Sequence, residues 1–230
     1  MQWMPQTTPH TAILFFSRTA VAEAQHKVLT RVGDNLLLHK GLRKQAQRAL
    51  EATGLPVFEF TEHNQRGHSF GERLAHAFET LYAQGYTQVI SVGQDCPDLE
   101  AANIQAAVVA LARGHEVVIG PDGRGGVYLL ALTQATYQRE GFLQLAWQTE
   151  GLLGSLVAYT SSFSIAELKV KVDLNNAGDV KRHQHQSVRL AQLLRCLRLP
   201  RIGHKVINPQ FRPSAGLPSV QGLRGPPVAI

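Results

Sequence analysis

The period of the apolar residues switches back and forth along this chain, and that alternation restricts its fold more than any other feature. Short runs rich in branched and aromatic residues read as buried strands. They are Thr11–Ser17, Pro56–Phe60, Gln88–Val92, Glu116–Gly120 and Val127–Leu132. Longer stretches with apolar residues three or four apart read as helices, over Leu36–Thr53, Ser69–Gln84 and Leu99–Arg113. Their ends carry the expected signals. Gly54-Leu55-Pro56 stops the first, Ser69 with Glu72 makes a capping box for the second, and Gly114 closes the third. Phe70, Leu74, Ala77 and Leu81 are the core positions of the second helix. Ser155–Thr160 and Val170–Asp173 are expected to be further short strands, and Asn176–Leu197 a final helix. Strands alternating with helices imply right-handed crossovers and an α/β fold with a mostly parallel sheet flanked by helices. Ligands of such sheets sit beyond the carboxyl ends of the strands, so those ends are where chemistry is sought.

A chain of 230 residues suits one domain with or without a tail. Its 44% hydrophobic and 17% charged residues exclude wholesale disorder. No apolar run approaches the ~20 residues needed to span a bilayer, and no signal peptide is expected. Cys96 and Cys196 are too few for a disulfide framework or a four-cysteine zinc site, which favours a reduced, cytoplasmic setting. The net charge of +6 is uneven. Residues 1–180 hold 14 basic and 17 acidic residues, whereas 181–230 hold 9 basic and none acidic. Prolines crowd the segment from Pro200 onward. The expected organisation is a folded domain over 1–200 and a basic, Pro/Gly-rich irregular tail over 201–230. Without an accompanying nucleic-acid motif, the tail reads as a solvated end, not as a nucleic-acid partner site.

Four segments stand out, three of them at predicted strand ends. In Val92-Gly93-Gln94-Asp95-Cys96-Pro97-Asp98-Leu99 a carboxylate directly follows a buried strand, and Pro97 fixes the chain before a helix. Such a carboxylate suits Mg²⁺ held against a diphosphate, since Mg²⁺ takes one or two carboxylates and completes its shell with phosphate oxygen and water. Asp98 reads as the N-cap of the following helix. Gly120-Pro121-Asp122-Gly123-Arg124-Gly125-Gly126-Val127-Tyr128 has more glycine than a turn needs, and Gly125 and Gly126 would let the backbone approach a ligand closely. Trp147-Gln148-Thr149-Glu150 sets polar groups beside an aromatic surface. Asp173 ends the last predicted strand and could meet Asp95 at one cation. Cys96 reads as a small buried residue and His183 and His185 as exposed. The glycines do not spell Gly-x-Gly-x-x-Gly after the first strand, which disfavours a dinucleotide site.

In order, these segments resemble a bacterial family of glycosyltransferase-A-like proteins in the nucleotide-diphospho-sugar transferase superfamily, labelled arsenosugar-biosynthesis-type glycosyltransferases. The resemblance rests on Gly71-Glu72-Arg73, Gly93-Gln94-Asp95-Cys96-Pro97, Gly120-Pro121 with Gly125-Gly126-Val127-Tyr128, Trp147-Gln148-Thr149-Glu150 and Lys171-Val172-Asp173, and spans about residues 11–182. It implies a single Rossmann-like glycosyltransferase-A domain that uses a nucleotide-diphospho-sugar donor with Mg²⁺ or Mn²⁺. It implies metal ligands at Asp95 and Asp173, nucleotide contacts at Ser17, Arg18, Lys27 and Gln94, sugar-side contacts at Gly125, Gly126, Trp147 and Thr149, and a catalytic carboxylate at Glu150. Glu150 would be a general base for the acceptor hydroxyl or would orient the sugar.

The chain also departs from the family pattern. The first loop, Arg18 to Leu29, lacks the pattern's proline and glycine, ends His26-Lys27-Val28-Leu29 where the family has Lys-Thr-Arg-Leu, and is alanine-rich enough to favour a helix. Arg124 and Lys171 stand where the family has aspartates. Two alternatives therefore stay open beside glycosyl transfer. One is nucleotidyl transfer on the same fold, for which a triphosphate needs many backbone donors in the first loop. The other is a catalytically inactive binding module that keeps the fold.

Overall fold

The computed structural model describes residues 10–199. The irregular tail expected over 201–230 lies outside them. Among the described residues the strands are β1 (Thr11–Phe16), β2 (Val57–Phe60), β3 (Gln88–Val92), β4 (Val117–Pro121), β5 (Val127–Thr133) and β6 (Ile165–Glu167). The helices are α1 (Ala20–His26), α2 (Val32–Glu51), α3 (Phe70–Ala83), α4 (Ala101–Ala112), α5 (Arg139–Leu143), α6 (Leu152–Tyr159), α7 (Ala177–His183) and α8 (Val188–Cys196). The strands form one sheet in the order β2-β1-β3-β5-β4-β6. Only β5 runs against its neighbours. The reason is length: the few residues between Pro121 and Val127 permit a hairpin but not the dozen or more that a parallel crossover needs.

Side chains alternate across β1, and both faces are covered. Ala12 and Leu14 join α3, α5 and α6 in one core, where Leu74, Phe78, Leu81, Phe142 and Leu156 lie. Ile13 and Phe15 join α2 and α4 in a second core with Ala46, Leu50, Ile104 and Leu111. Burial on both faces explains why the central strands read as unbroken apolar runs. A third cluster packs α7 and α8 onto α2 through Leu38, Leu42, Val180, Leu190 and Leu194. It also holds Leu29 and Leu174, which flank the loops at the sheet's carboxyl edge. No helix of the described residues is long and apolar enough to cross a membrane.

The capping box of α3 forms as expected. Ser69 Oγ accepts from Glu72 N at 3.1 Å, and Glu72 Oε2 accepts from Ser69 N at 3.1 Å. Gly54 and Gly114 close their helices with φ of +72° and +94°. The alanine-rich first loop is helical, as α1. Elsewhere the expectations need correction. Ser155–Thr160 is the end of helix α6, not a strand, because Leu152 and Leu156, four residues apart, both face the core. Val170–Asp173 is no strand either, and the last strand, β6, lies earlier and pairs with β4. The single helix expected over Asn176–Leu197 is two, with Ser187 starting the second as its N-cap. Asp98 does not cap α4, which begins at Ala101. It accepts instead from Ser187 Oγ at 2.5 Å and lies 3.4 Å from His183 Nε2. His183 is accordingly half-buried and not exposed, whereas His185 is exposed.

A buried carboxylate fixes the segment that follows β6. Asp179 accepts from the amides of Asn175 (2.8 Å) and Asn176 (3.2 Å), from Arg124 Nη1 (2.9 Å) and from Arg182. Burial opposes its ionisation, but the two amides and Arg124 outweigh burial and hold its pKa below the usual aspartate value. A depressed folded pKa gives stability that is fully present above about pH 4 and is lost as pH falls from there through the lower folded value. Asp179→Ala should therefore cost about 2 kcal/mol at pH 7, and the deficit should shrink on acidification below about pH 4. Thermal melts across pH test this. A variant as stable as the parent at pH 7 would mean the carboxylate does not hold this segment.

Candidate functional site

The loops that leave β1, β3 and β4 open on one edge of the sheet, as does the start of antiparallel β5. They line a cleft of about 530 Å³. Ser17, Arg18, Lys27, Gln94, Asp95, Gly126, Trp147, Thr149, Glu150 and Asp173 all line it, so the fold brings together ten of the eleven expected site residues. Gly125 is the exception. Its φ is +87°, a Cβ there would collide with the Glu150 carbonyl oxygen, and its own carbonyl accepts from Leu153 N at 2.7 Å. The close backbone approach it permits is to the chain's own turn, not to a ligand. Gly126 lines the cleft, but a Cβ on it would meet Asp122 Oδ2 at 2.6 Å.

The floor is electrostatic. Asp95 and Asp173 stand on adjoining segments, with Leu174 N donating to Asp95 O at 2.9 Å. The Lys27 ammonium bridges them, donating to Asp95 Oδ2 at 2.6 Å and to Leu174 O at 3.2 Å. It also lies 3.3 Å from Glu23 Oε1, and Arg18 reaches Glu23 from the other side at 3.2 Å. Asp95 Oδ1 and Asp173 Oδ1 are both shielded and have no protein hydrogen-bond partner. Burial raises the pKa of Asp95 against the pull of Lys27, and Glu23 adds to the rise. Burial, then the charges of Asp95 and Asp122, push Asp173 up to about 7. Burial works against the charge on Lys27, but Asp95 and Glu23 more than offset it and hold its pKa above the usual lysine value.

Lys27 is fixed at its backbone. Its carbonyl accepts from Asn35 Nδ2 at 2.8 Å and lies 3.0 Å from His39 Nε2, and its amide donates to Glu23 O at 2.8 Å. Beside it, Arg43 of α2 reaches Ser17 Oγ (2.8 Å), Arg18 O (2.8 Å) and Gln94 Oε1 (3.2 Å), which ties the ends of β1 and β3 together. The far wall is aromatic. Trp147 spends its indole N–H on Phe142 O at 2.8 Å and packs against Phe70 with ring centroids 5.6 Å apart. Thr149 Oγ accepts from Gly151 N at 3.1 Å and donates to Ala146 O at 2.8 Å, and Glu150 is exposed at the rim. Cys96 is buried, and burial raises its pKa, which disqualifies it as a nucleophile.

Sequence reasoning missed Asp122, Glu23, Asn35 and Arg43. Asp122 ends β4 as Asp95 follows β3, so the same strand-end argument reaches it. Its Oδ1 accepts from Arg124 N (2.7 Å) and Gly126 N (2.9 Å), an Asx-type turn that shapes the loop. Of the two basic departures Arg124 lines the cleft and Lys171 does not, and both are engaged. Arg124 donates to Asp173 O at 2.6 Å besides Asp179, and Lys171 Nζ donates to Asp98 O at 2.7 Å.

Among the described residues no group of three or more His, Cys, Asp or Glu side chains is arranged to hold a metal ion. Two half-buried carboxylates, each with one shielded and unpartnered oxygen, nonetheless suit Mg²⁺ or Mn²⁺, which would take the rest of its shell from phosphate and water. The same burial has a cost in stability. A carboxyl raised to about 7 in the fold and near 4 in the unfolded chain makes the protein less stable as pH rises from about 4 to 7. Asp173→Asn removes that burden and should raise the melting temperature by a few degrees at pH 8 but not at pH 4. An unchanged difference across pH would show that Asp173 is not held in this state.

The fold is shared with a solved structure, and weaker likenesses extend to others. A protein described as a candidate nucleotide-diphospho-sugar transferase from Desulfovibrio desulfuricans G20 superposes with a TM-score of 0.67 at 17% identity, over 83% of this chain and 97% of its own. Rv0371c from Mycobacterium tuberculosis H37Rv gives 0.45 at 15% identity, over 77% and 98%. A cytidylyltransferase from Leptospira borgpetersenii gives 0.44 at 12%, over 83% and 94%. The first of these shows the α/β fold expected from the sequence, a mostly parallel sheet flanked by helices. No curated protein matches the chain. A family model described as an uncharacterised protein conserved in bacteria, DUF2064, matches residues 20–149, and the chain belongs to that family.

Proposed function

We propose that the protein transfers a glycosyl group from a nucleotide-diphospho-sugar donor, assisted by Mg²⁺ or Mn²⁺ at Asp95 and Asp173. The observation that carries this is the pair of unpartnered carboxylate oxygens at the sheet edge, with Lys27 between the segments that bear them. In such a transfer the departing nucleoside diphosphate gains negative charge. Lys27 and Arg18 lie where they can meet it, and the partly closed cleft strengthens their effect. A divalent cation, when bound, would neutralise further phosphate charge. Ser17 and Gln94, clamped by Arg43, would face the nucleotide. Gly126, Trp147 and Thr149 would border the sugar, and Glu150 would meet the acceptor hydroxyl as a base or an orienting group. Arsenosugar-type transfer is one instance of this reaction, and the acceptor distinguishes it from the others.

The first loop favours a diphosphate ligand over a triphosphate. A triphosphate needs several free backbone donors. Here Ser17 N donates to Phe60 O at 3.0 Å and Thr19 N to Glu62 Oε2 at 2.8 Å, so the turn is already partly spent. An inactive module loses two of the three departures that suggest it, since Arg124 and Lys171 are engaged with Asp179 and with backbone carbonyls. The third, the altered first loop, is the one that places Lys27 on Asp95.

Calorimetric titration of UDP, GDP, CDP and ADP, with and without Mg²⁺ or Mn²⁺, tests the proposal. At least one should bind more tightly by about tenfold with the metal, and Asp95→Asn should abolish that gain. Glu150→Gln should leave nucleotide binding within about twofold and depress transfer. No binding at near-millimolar concentration, or an undiminished metal effect in Asp95→Asn, would refute the reading.

A further inference from the structure

Lys27 is more than one cation among several in the cleft. Its ammonium occupies Asp95 Oδ2 at 2.6 Å, while the other oxygen of Asp95 and one oxygen of Asp173 have no protein partner. The side chain is 13% exposed and lies against three acceptors from three segments: Asp95, Glu23 and the Leu174 carbonyl. Its backbone is held at both the amide and the carbonyl, so only the four-carbon stem can move. A doubly charged ion that binds Asp95 therefore has this ammonium as a close neighbour.

We infer that Lys27 is a tethered competitor that makes divalent-cation binding at Asp95 and Asp173 conditional on a diphosphate. The inference deepens the proposed function and rests on it. The charge balance supplies the logic. With Lys27 on Asp95, much of the local negative charge is already matched, and a second cation there is repelled at short range. A diphosphate brings negative charge and several strong acceptors. The ammonium then gains a better partner than the carboxylate, swings on its stem towards the phosphates, and frees Asp95 for the divalent ion. Glu23 limits the swing, because it remains within reach of Lys27 while Arg18 holds it from behind. Metal and phosphate are thereby coupled through one side chain, and coupling between two ligands is reciprocal. In the absence of diphosphate the carboxylates are kept from idle metal binding.

The test measures Mn²⁺ binding alone and with inorganic pyrophosphate, by electron paramagnetic resonance of free Mn²⁺ and by calorimetry. Pyrophosphate serves as the probe because it carries the diphosphate chemistry without a base or sugar. The full chain should bind Mn²⁺ at least about tenfold more tightly when pyrophosphate is present. Lys27→Met, which keeps the stem's bulk and removes the charge, should bind Mn²⁺ alone at least about tenfold more tightly than the parent and lose most of the pyrophosphate gain. Adding Asp95→Asn to Lys27→Met should remove the tight Mn²⁺ site. Mn²⁺ affinity in Lys27→Met equal to or weaker than the parent's would overturn the inference and leave the proposed function standing. Should Lys27→Met fail to fold, the parent still decides: Mn²⁺ bound equally well with and without pyrophosphate overturns the inference. Failure of the parent to bind either probe in any combination overturns the proposed function and this inference with it.

Discussion

Two carboxylates brought side by side out of full contact with water repel each other, and the arrangement of this cleft answers that repulsion. Asp95 and Asp173 come from distant parts of the chain, yet Leu174 N and Asp95 O are hydrogen-bonded. Such a juxtaposition persists only if a cation is near or a proton is taken up. Both answers are present. Lys27 sits on Asp95, and the pKa of Asp173 is pushed up to about 7. Much of the surrounding structure can be read as support for this one contact. Asn35 and His39 secure the backbone of Lys27, Arg43 joins the ends of two strands beside it, and Arg124 with Asp179 holds the segment that delivers Asp173.

The sheet explains why the support converges there. Five of the six strands share a direction, so their carboxyl ends lie along one edge. Reversed β5 then adds the glycine loop to the same edge. The third hydrophobic cluster draws α7 and α8 onto α2 and so places Leu174, the residue after Asp173, against the helix that carries Arg43. Packing beside the cleft thus helps to place its charged groups.

The sequence made the periodic elements legible because their physics is local. Buried runs such as Ala12 to Phe15 and stripes such as Leu74, Ala77 and Leu81 report burial directly, and the Ser69–Glu72 box is an interaction over three residues. Residues 155–160 were misleading for the opposite reason. Val157 and Tyr159 suit a strand, but Leu152 and Leu156 together face the core and settle the segment as helix. The site was legible as a set of residues and not as a set of partnerships. Strand-end position singles out Asp95, whereas it singles out Asp173 only through a strand that does not form. Nothing local could say that Lys27 would grip an aspartate 68 residues away, or that Arg124 would be spent on Asp179, 55 residues on. Charges that looked like replacements within the site turn out to be pieces of its frame.

A crystal grown with Mn²⁺ and a nucleoside diphosphate measures the central claim most directly, through the anomalous signal of the metal. One peak is expected within coordination distance, about 2.0–2.6 Å, of both Asp95 and Asp173, with the Lys27 ammonium moved off Asp95 towards a phosphate. A peak elsewhere in the cleft, or a bound diphosphate with Lys27 still on Asp95 and no metal beside it, would contradict it.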